Sequence, residues 1–234
     1  SKLKIGFLNK YLTSSKIKKV LTIHGDTSGL FGKSTDKKLI KFLNTFSAII
    51  CVRKDDDKIL RNKGVKSKIS VIPAFIPPTP DETDIKQLPG IFNQIRKTHK
   101  FLITANAFKI SFFNNEDLYG IDLSIELMKK LVKNGYKDIG FIYVIPDIGD
   151  YDYYQKMQNL IKQYNLEDYF HFYTESVAYP AVINMCDLFI RPTNTDGDAL
   201  SIREAISLKK PAIASDVCKR PEGTILFENR NIDD

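Results

Sequence analysis

DLFIRPTNTDGDALSIREAISLKKPAIAS, residues 187–215, is the stretch on which the fold reading turns. Residues 187–191 (DLFIR) form a short, nearly continuous apolar run, the pattern of a strand buried on both faces. Pro192 and Gly197 mark a tight turn. A helix over about residues 199–209 follows, and 211–215 (PAIAS) opens another apolar run. Strand, turn, helix and strand in so short a span describe a crossover unit of a parallel sheet.

The same alternation continues on both sides. Residues 101–108 (FLITANAF), 139–145 (IGFIYVI) and 169–173 (YFHFY) read as strands. Between them, 122–134 reads as a helix with Leu123, Leu127, Met128, Leu131 and Val132 on one face, ended by Gly135. Residues 152–164 read as another, with Met157, Leu160, Ile161 and Tyr164 inward. Pro180 opens a short helix at its favoured first position. Nearer the N-terminus, 19–24 (KVLTIH), 48–52 (AIICV) and 68–73 (KISVIP) are strands. Helices follow at about 36–46 and 55–61, the latter stopped by Gly64. Between these two series lie Pro73, Pro77, Pro78, Pro80 and Pro89 with acidic residues, the composition of a linker. The expected organisation is α/β with two Rossmann-like parallel-sheet domains, residues 1–78 and 99–234, joined by a linker at 79–98.

Composition excludes several classes. Among 234 residues, 43% are hydrophobic and 27% charged, which is ordinary globular usage and argues against a disordered chain. No apolar run reaches the roughly 18 residues that a membrane-spanning helix needs. The first residues, SKLKIGFLNK, lack the pattern of a signal peptide. Cys51, Cys186 and Cys218 are odd in number and far apart, which fits neither a disulfide framework nor a zinc pattern, so a reducing cytoplasmic setting is expected. Charge is divided unevenly: 17 Lys and Arg against 5 Asp and Glu in residues 1–78, but 18 against 23 in the remainder. The basic half could meet an anionic membrane surface or simply be a solvated Lys-rich face. Its lysines are scattered and not interleaved with aromatics, so nucleic acid is not expected as a partner.

Ligands of an open parallel sheet bind beyond the carboxyl ends of its strands. The turn at 192–199 runs from such an end into a helix whose first N–H groups have no internal partner. Those groups and the helix dipole make an anion site suited to phosphate. Asp198 is a candidate N-cap. Asp196 and Glu204 flank the turn, eight residues apart. Spacing alone leaves two readings open: ligand-binding carboxylates, or a cap residue and a solvated helix carboxylate. His99 and His171 have no ligand partner at metal spacing, and Cys186 reads as a small core residue. The loop at 148–154 (IGDYDYY) offers carboxylates and aromatics that could line the pocket or simply form a solvated loop. No GxGxxG, Walker or HExxH motif is present.

The stretch from Asp187 to Asp234 resembles the signature region of family-4 retaining glycosyltransferases of the GT-B fold (group 1 glycosyltransferases). In that family a Glu, seven other residues and a second Glu precede an apolar helix and strand; here the two positions are Asp196 and Glu204. Residues 221–228 (PEGTILFE) resemble the family's next strand, 20–25 (VLTIHG) the strand ending in a functional His, and 69–77 (ISVIPAFIP) the segment entering the interdomain crossing. The resemblance implies that Glu204 holds the ribose of a nucleotide-sugar donor. It implies that Asp196 binds donor-sugar hydroxyls, helped by backbone N–H groups around Gly197, Asp198 and Ala199. The amides of Leu200 and Ser201 would take the diphosphate, and His24 would contact the sugar near the reacting carbon. Thr174 and Glu175 lie where the family binds the base.

Two departures stand out. The family's Gly-Arg after the first strand of the second domain reads Ala105-Asn106 here, and its Lys before a Gly reads Tyr119-Gly120. Lys109, Arg191 or the helix terminus itself would have to serve the diphosphate. Asp also stands at 196 in place of Glu. The implied activity is transfer of a sugar from a nucleoside diphosphate sugar to an acceptor hydroxyl with retention, without metal or other cofactor. A glycan or lipid-linked acceptor is implied, in cell-surface polysaccharide or glycolipid assembly, at the inner face of the membrane. With only about 18 residues before the His strand, the first domain is expected to be incomplete. The competing readings are a sugar-nucleotide isomerase on the same fold and a non-catalytic nucleotide-sugar-binding module.

Overall fold

Three short strands, β1 (Val20–Ile23), β2 (Ala48–Cys51) and β3 (Lys68–Val71), pair in parallel in that order. They belong to the first of two units in the computed structural model, which describes residues 18–24, 27, 30–31, 36–53, 55–72, 75–80, 82–197 and 199–234. The units divide after Ile76. Helices α1 (Asp36–Leu43) and α2 (Asp56–Asn62) connect the three strands. Leu39, Phe42 and Leu43 of α1 and Leu60 of α2 share one core with Ile49 and Cys51 of β2. The α1 spacing of i, i+3 and i+4 is what turns one helix face inward. Asp56 is buried at the start of α2 and accepts from the Thr27 hydroxyl at 2.7 Å and from its N–H at 3.3 Å. The strand at 19–24 is shorter than expected, and its following Gly25 and Asp26, like Pro73 and Ala74, lie outside the described residues.

The second unit carries the larger sheet. Its strands are β4 (Phe101–Asn106), β7 (Ile139–Val144), β8 (Phe170–Tyr173), β9 (Leu188–Arg191), β10 (Ala212–Ser215) and β11 (Thr224–Phe227), all parallel to their neighbours. Their spatial order is β11-β10-β9-β4-β7-β8. Sequence runs outward to one edge from β4 and then outward to the other from β9, which is the dinucleotide-binding order with its switch point between β4 and β9. Both central strands are buried on both faces, as their continuous apolar runs require. Helices α5 (Ile121–Lys133), α6 (Tyr151–Gln163), α7 (Tyr179–Met185) and α8 (Leu200–Ser207) return the chain between strands. Ile121, Ile125 and Met128 of α5 pack with Phe141, Tyr143 and Met157 in the main core.

Residues 79–98, expected as a linker, are instead largely helical: α3 (Glu82–Lys86) and α4 (Gly90–Thr98) lie there. Leu88, Phe92 and Ile95 are spaced i, i+4 and i+7, and they pack against Leu102, Ile142 and Val182 of the second unit. The prolines mark the start of this segment and not its whole length. Pro89 caps α4, just before the helix position that proline favours.

A hairpin that the periodicity did not reveal follows β4. Strands β5 (Phe112–Phe113) and β6 (Glu116–Asp117) are antiparallel. Asn114 and Asn115 join them with φ of 52° and 64°, the left-handed pair that a tight two-residue hairpin turn demands. The hairpin lies beside the turn after β9, because Asn194 donates its N–H to the Leu118 carbonyl at 3.0 Å. Gly120 makes that approach possible. Its φ is +68°, and a Cβ there would fall 2.2 Å from the Pro192 carbonyl oxygen.

Candidate active site

Three chain segments meet at the switch point: the end of β4, the hairpin with the start of α5, and the turn from β9 to α8. Arg191, the last residue of β9, ties them together. Its Nη1 donates to the Asn106 carbonyl at 3.1 Å and its Nε to Asp196 Oδ2 at 3.0 Å. The guanidinium carbon lies 5.1 Å from the centre of the Tyr119 ring, within cation–π range.

Asp196 is the hub of the turn. Its Oδ2 also accepts from Arg220 Nη1 at 2.8 Å and from the Thr193 hydroxyl at 3.3 Å, while Oδ1 accepts from the Gly197 N–H at 2.9 Å. The side chains of Arg191 and Asp196 are each 11% exposed, and that of Arg220 is 2% exposed. Burial by itself would raise the Asp196 pKa, but the two arginines outweigh it and hold the carboxyl below its ordinary value. Arg220 is further fixed by the Ser215 carbonyl, the Ser215 hydroxyl and the Thr193 hydroxyl at 2.9–3.1 Å. The resemblance gives Asp196 to sugar hydroxyls; in the structure four protein donors already occupy its carboxylate.

Arg220 was not among the expected site residues, nor were Thr193, Ser215 and Tyr119. Applying the strand-end rule to the loop after β10 would have found Arg220. The others carry no sequence signal beyond adjacency to a turn.

Helix α8 begins at the far end of this turn. Its N-cap is Ala199, which offers no side-chain acceptor. Asp198, expected as the cap, lies outside the described residues. The starts of α5 and α6 are closed by carboxylates. Asp117 accepts from the N–H groups of Tyr119, Gly120, Ile121 and Asp122, and Asp150 from that of Tyr153. Among the described residues no side chain caps the start of α8, whose free N–H groups suit an external anion. Leu200 there is half exposed and Ser201 is buried.

Glu204 sits one turn into α8 and is half-buried. Among the described residues nothing donates to its carboxylate, and burial raises its pKa. A shielded carboxylate without a partner is poised to accept hydrogen bonds from a ligand.

The remaining expected residues are more dispersed. Asn106 ends β4, and its buried Oδ1 has no hydrogen-bond partner among the described residues. Lys109 lies across Gly149 and pairs with Asp147 at 3.5 Å, half exposed. Thr174 and Glu175 follow β8 at the sheet's outer edge, and Glu175 accepts from the Tyr173 hydroxyl at 3.4 Å. His24 follows β1 in the first unit and is exposed. His99 and His171 are structural: their rings lie 5.8 Å apart, and His99 Nδ1 bonds to the Ile95 carbonyl at 3.1 Å. Cys186 is fully buried, and burial pushes its thiol up to about 12. No group of His, Cys, Asp or Glu among the described residues could hold a metal ion. No helix among them is long and apolar enough to cross a membrane.

The fold is an open, doubly wound parallel α/β sheet with its switch point between β4 and β9. The sequence pattern of glycosyl transferases group 1 matches residues 97–232, more than half of the chain. The chain belongs to that family. No curated protein matches it. Among solved structures it is similar to HepE of Anabaena in complex with UDP, at 16% identity and TM-score 0.63, over 97% of this chain and 62% of that one. It is also similar to a mutant of S. aureus TarM in complex with fondaparinux, α-GlcNAc-glycerol and UDP, at 20% identity and TM-score 0.55, over 98% and 45%. An α,α-trehalose-phosphate synthase (UDP-forming) of Burkholderia vietnamiensis shares 12% identity at TM-score 0.62, over 98% and 58%. These likenesses establish the GT-B type of fold. The chain spans about three fifths of the length of HepE.

Proposed function

We propose that the protein transfers a sugar from a nucleoside diphosphate sugar to an acceptor hydroxyl with retention of anomeric configuration. The observation that carries this reading is the pairing of the helix start at Ala199–Ser201 with half-buried Glu204 one turn later, neither of which has a side-chain hydrogen-bond partner among the described residues. The first suits a diphosphate and the second a ribose. Family membership supports the transferase class. The leaving diphosphate is stabilised by the α8 amides, and it takes the acceptor's proton as the glycosidic bond to the donor breaks. No metal or cofactor is needed for that step. His24 serves the sugar, and Thr174 and Glu175 serve the base. The acceptor is a glycan or a lipid-linked sugar of cell-surface polysaccharide or glycolipid assembly.

Slow release of free nucleoside diphosphate from one sugar donor, in the absence of acceptor, is the expected behaviour of the full-length protein. A panel of UDP-, GDP- and ADP-sugars followed by chromatography tests it. Tight binding of a donor with no release over hours would instead mark a non-catalytic module.

The excess of basic residues in residues 1–78 supports placement against an anionic membrane surface. Each basic residue near such a surface contributes about 1 kcal/mol at best, screened over about 8 Å at physiological salt. Flotation with anionic liposomes is expected at low salt and should be lost at high salt. Failure to float at low salt would leave those lysines as ordinary solvated surface.

A further inference from the structure

The Arg191–Asp196–Arg220 cluster holds two guanidinium groups on one carboxylate oxygen, Oδ2 of Asp196, at 3.0 and 2.8 Å. The carboxylate neutralises one of them, so the cluster keeps one positive charge. Its side chains are 2–11% exposed. Among the described residues no second carboxylate pairs with it; a shielded charge left uncompensated is costly and is relieved by an anion. The two cations are not equivalent. Arg220 is consumed by the protein: its Nε, Nη1 and Nη2 bond to Ser215, Asp196 and Thr193. Arg191 spends Nε on Asp196 and Nη1 on the Asn106 carbonyl, and its Nη2 has no partner among the described residues. The turn that carries Asp196 precedes α8, whose start has no side-chain cap among the described residues. Lys109, the other side-chain cation considered for the diphosphate, pairs with Asp147 and is half exposed.

We propose that Arg191 is the phosphate-binding cation of this site, contacting the diphosphate of the donor, and that Asp196 and Arg220 are positioning residues that hold its guanidinium in place. The proposal rests on the nucleotide-sugar reading above and deepens it. A guanidinium donates to phosphate oxygens in a fixed fork that an ammonium does not reproduce. Fixing it in advance spares the rotamer entropy that a free Arg would lose on binding.

The test titrates wild type, Arg191→Lys and Arg191→Gln with UDP, GDP and ADP by calorimetry, and with the matching nucleosides by chemical-shift perturbation. Arg191→Gln leaves Asp196 paired with Arg220, so the carboxylate is not stranded, and Arg191→Lys keeps the charge without the fork. The expected result is a loss of about 10- to 100-fold in diphosphate affinity for Arg191→Gln. Arg191→Lys should fall between it and wild type, and nucleoside binding should stay unchanged. The proposal is overturned if Arg191→Gln binds the diphosphate as wild type does. It is equally overturned if diphosphate and nucleoside weaken by one common factor. Wild type binding none of the three diphosphates would remove the nucleotide-sugar reading itself, and this proposal with it.

Discussion

Glu204→Ala is expected to weaken binding of the donor's nucleoside diphosphate by about 1.5–3 kcal/mol, roughly a 10- to 150-fold loss of affinity. The loss should be the same for the free diphosphate and for the sugar donor, because the proposed partners of Glu204 are ribose hydroxyls common to both. Stability should move the other way in Glu204→Gln. The wild-type carboxyl has its pKa raised by burial, so the folded state favours the protonated form. Its contribution to stability is fully present below the unfolded-state value and is lost as pH rises through the folded-state value. At neutral pH the ionised Glu204 therefore costs stability, and the neutral amide removes that cost. Thermal unfolding should show Glu204→Gln melting at or above wild type at pH 7, with the difference shrinking towards pH 4. Calorimetric titration of Glu204→Ala at wild-type affinity would return Glu204 to the role of a solvated helix carboxylate.

The second large effect belongs to Asp196→Ala, which strands two shielded guanidinium groups. Removing one partner from a buried ion pair costs about 3–5 kcal/mol, a large fraction of a domain's stability. Chemical denaturation should show the second unit destabilised by that order. The pH dependence has a definite sign. The arginines hold the Asp196 carboxyl below its ordinary value of 3.8. Its stabilisation is thus complete above that value and is lost as pH falls through the lower folded-state value. Asp196→Asn should lack this acid-dependent component while keeping the packing. A denaturation midpoint within error of wild type for Asp196→Ala would mean that the cluster adds nothing to the fold.

Much of the fold was legible because a buried parallel strand has an unmistakable composition. The runs at 101–108, 139–145 and 187–191 announce β4, β7 and β9, and each structural strand is trimmed by one or two residues at an end. Helix α5 was legible through the spacing of its apolar residues and its closing Gly135, which has φ of +92°. What misled was the proline-rich stretch. Prolines speak only for the residues around them, and the face made by Leu88, Phe92 and Ile95 continued beneath the reading. The β5–β6 hairpin was hidden because its strands are two residues long, too short for any period to register. Within the site, the turn and α8 were legible from Pro192, Gly197 and the helix that follows. The partners of Asp196 were not. An Arg 24 residues away announces nothing until the sheet places the β10 loop beside the β9 turn.

The central claim is that a nucleoside diphosphate sits beyond the carboxyl ends of β4 and β9, with its diphosphate at the start of α8. A crystal structure of the protein with the nucleoside diphosphate of its donor tests this most directly. The account predicts phosphate oxygens within hydrogen-bond distance of the Leu200 and Ser201 amides and of Arg191, and ribose hydroxyls on Glu204. A nucleotide seated on the helical faces, or along the outer edge at β8, would contradict it.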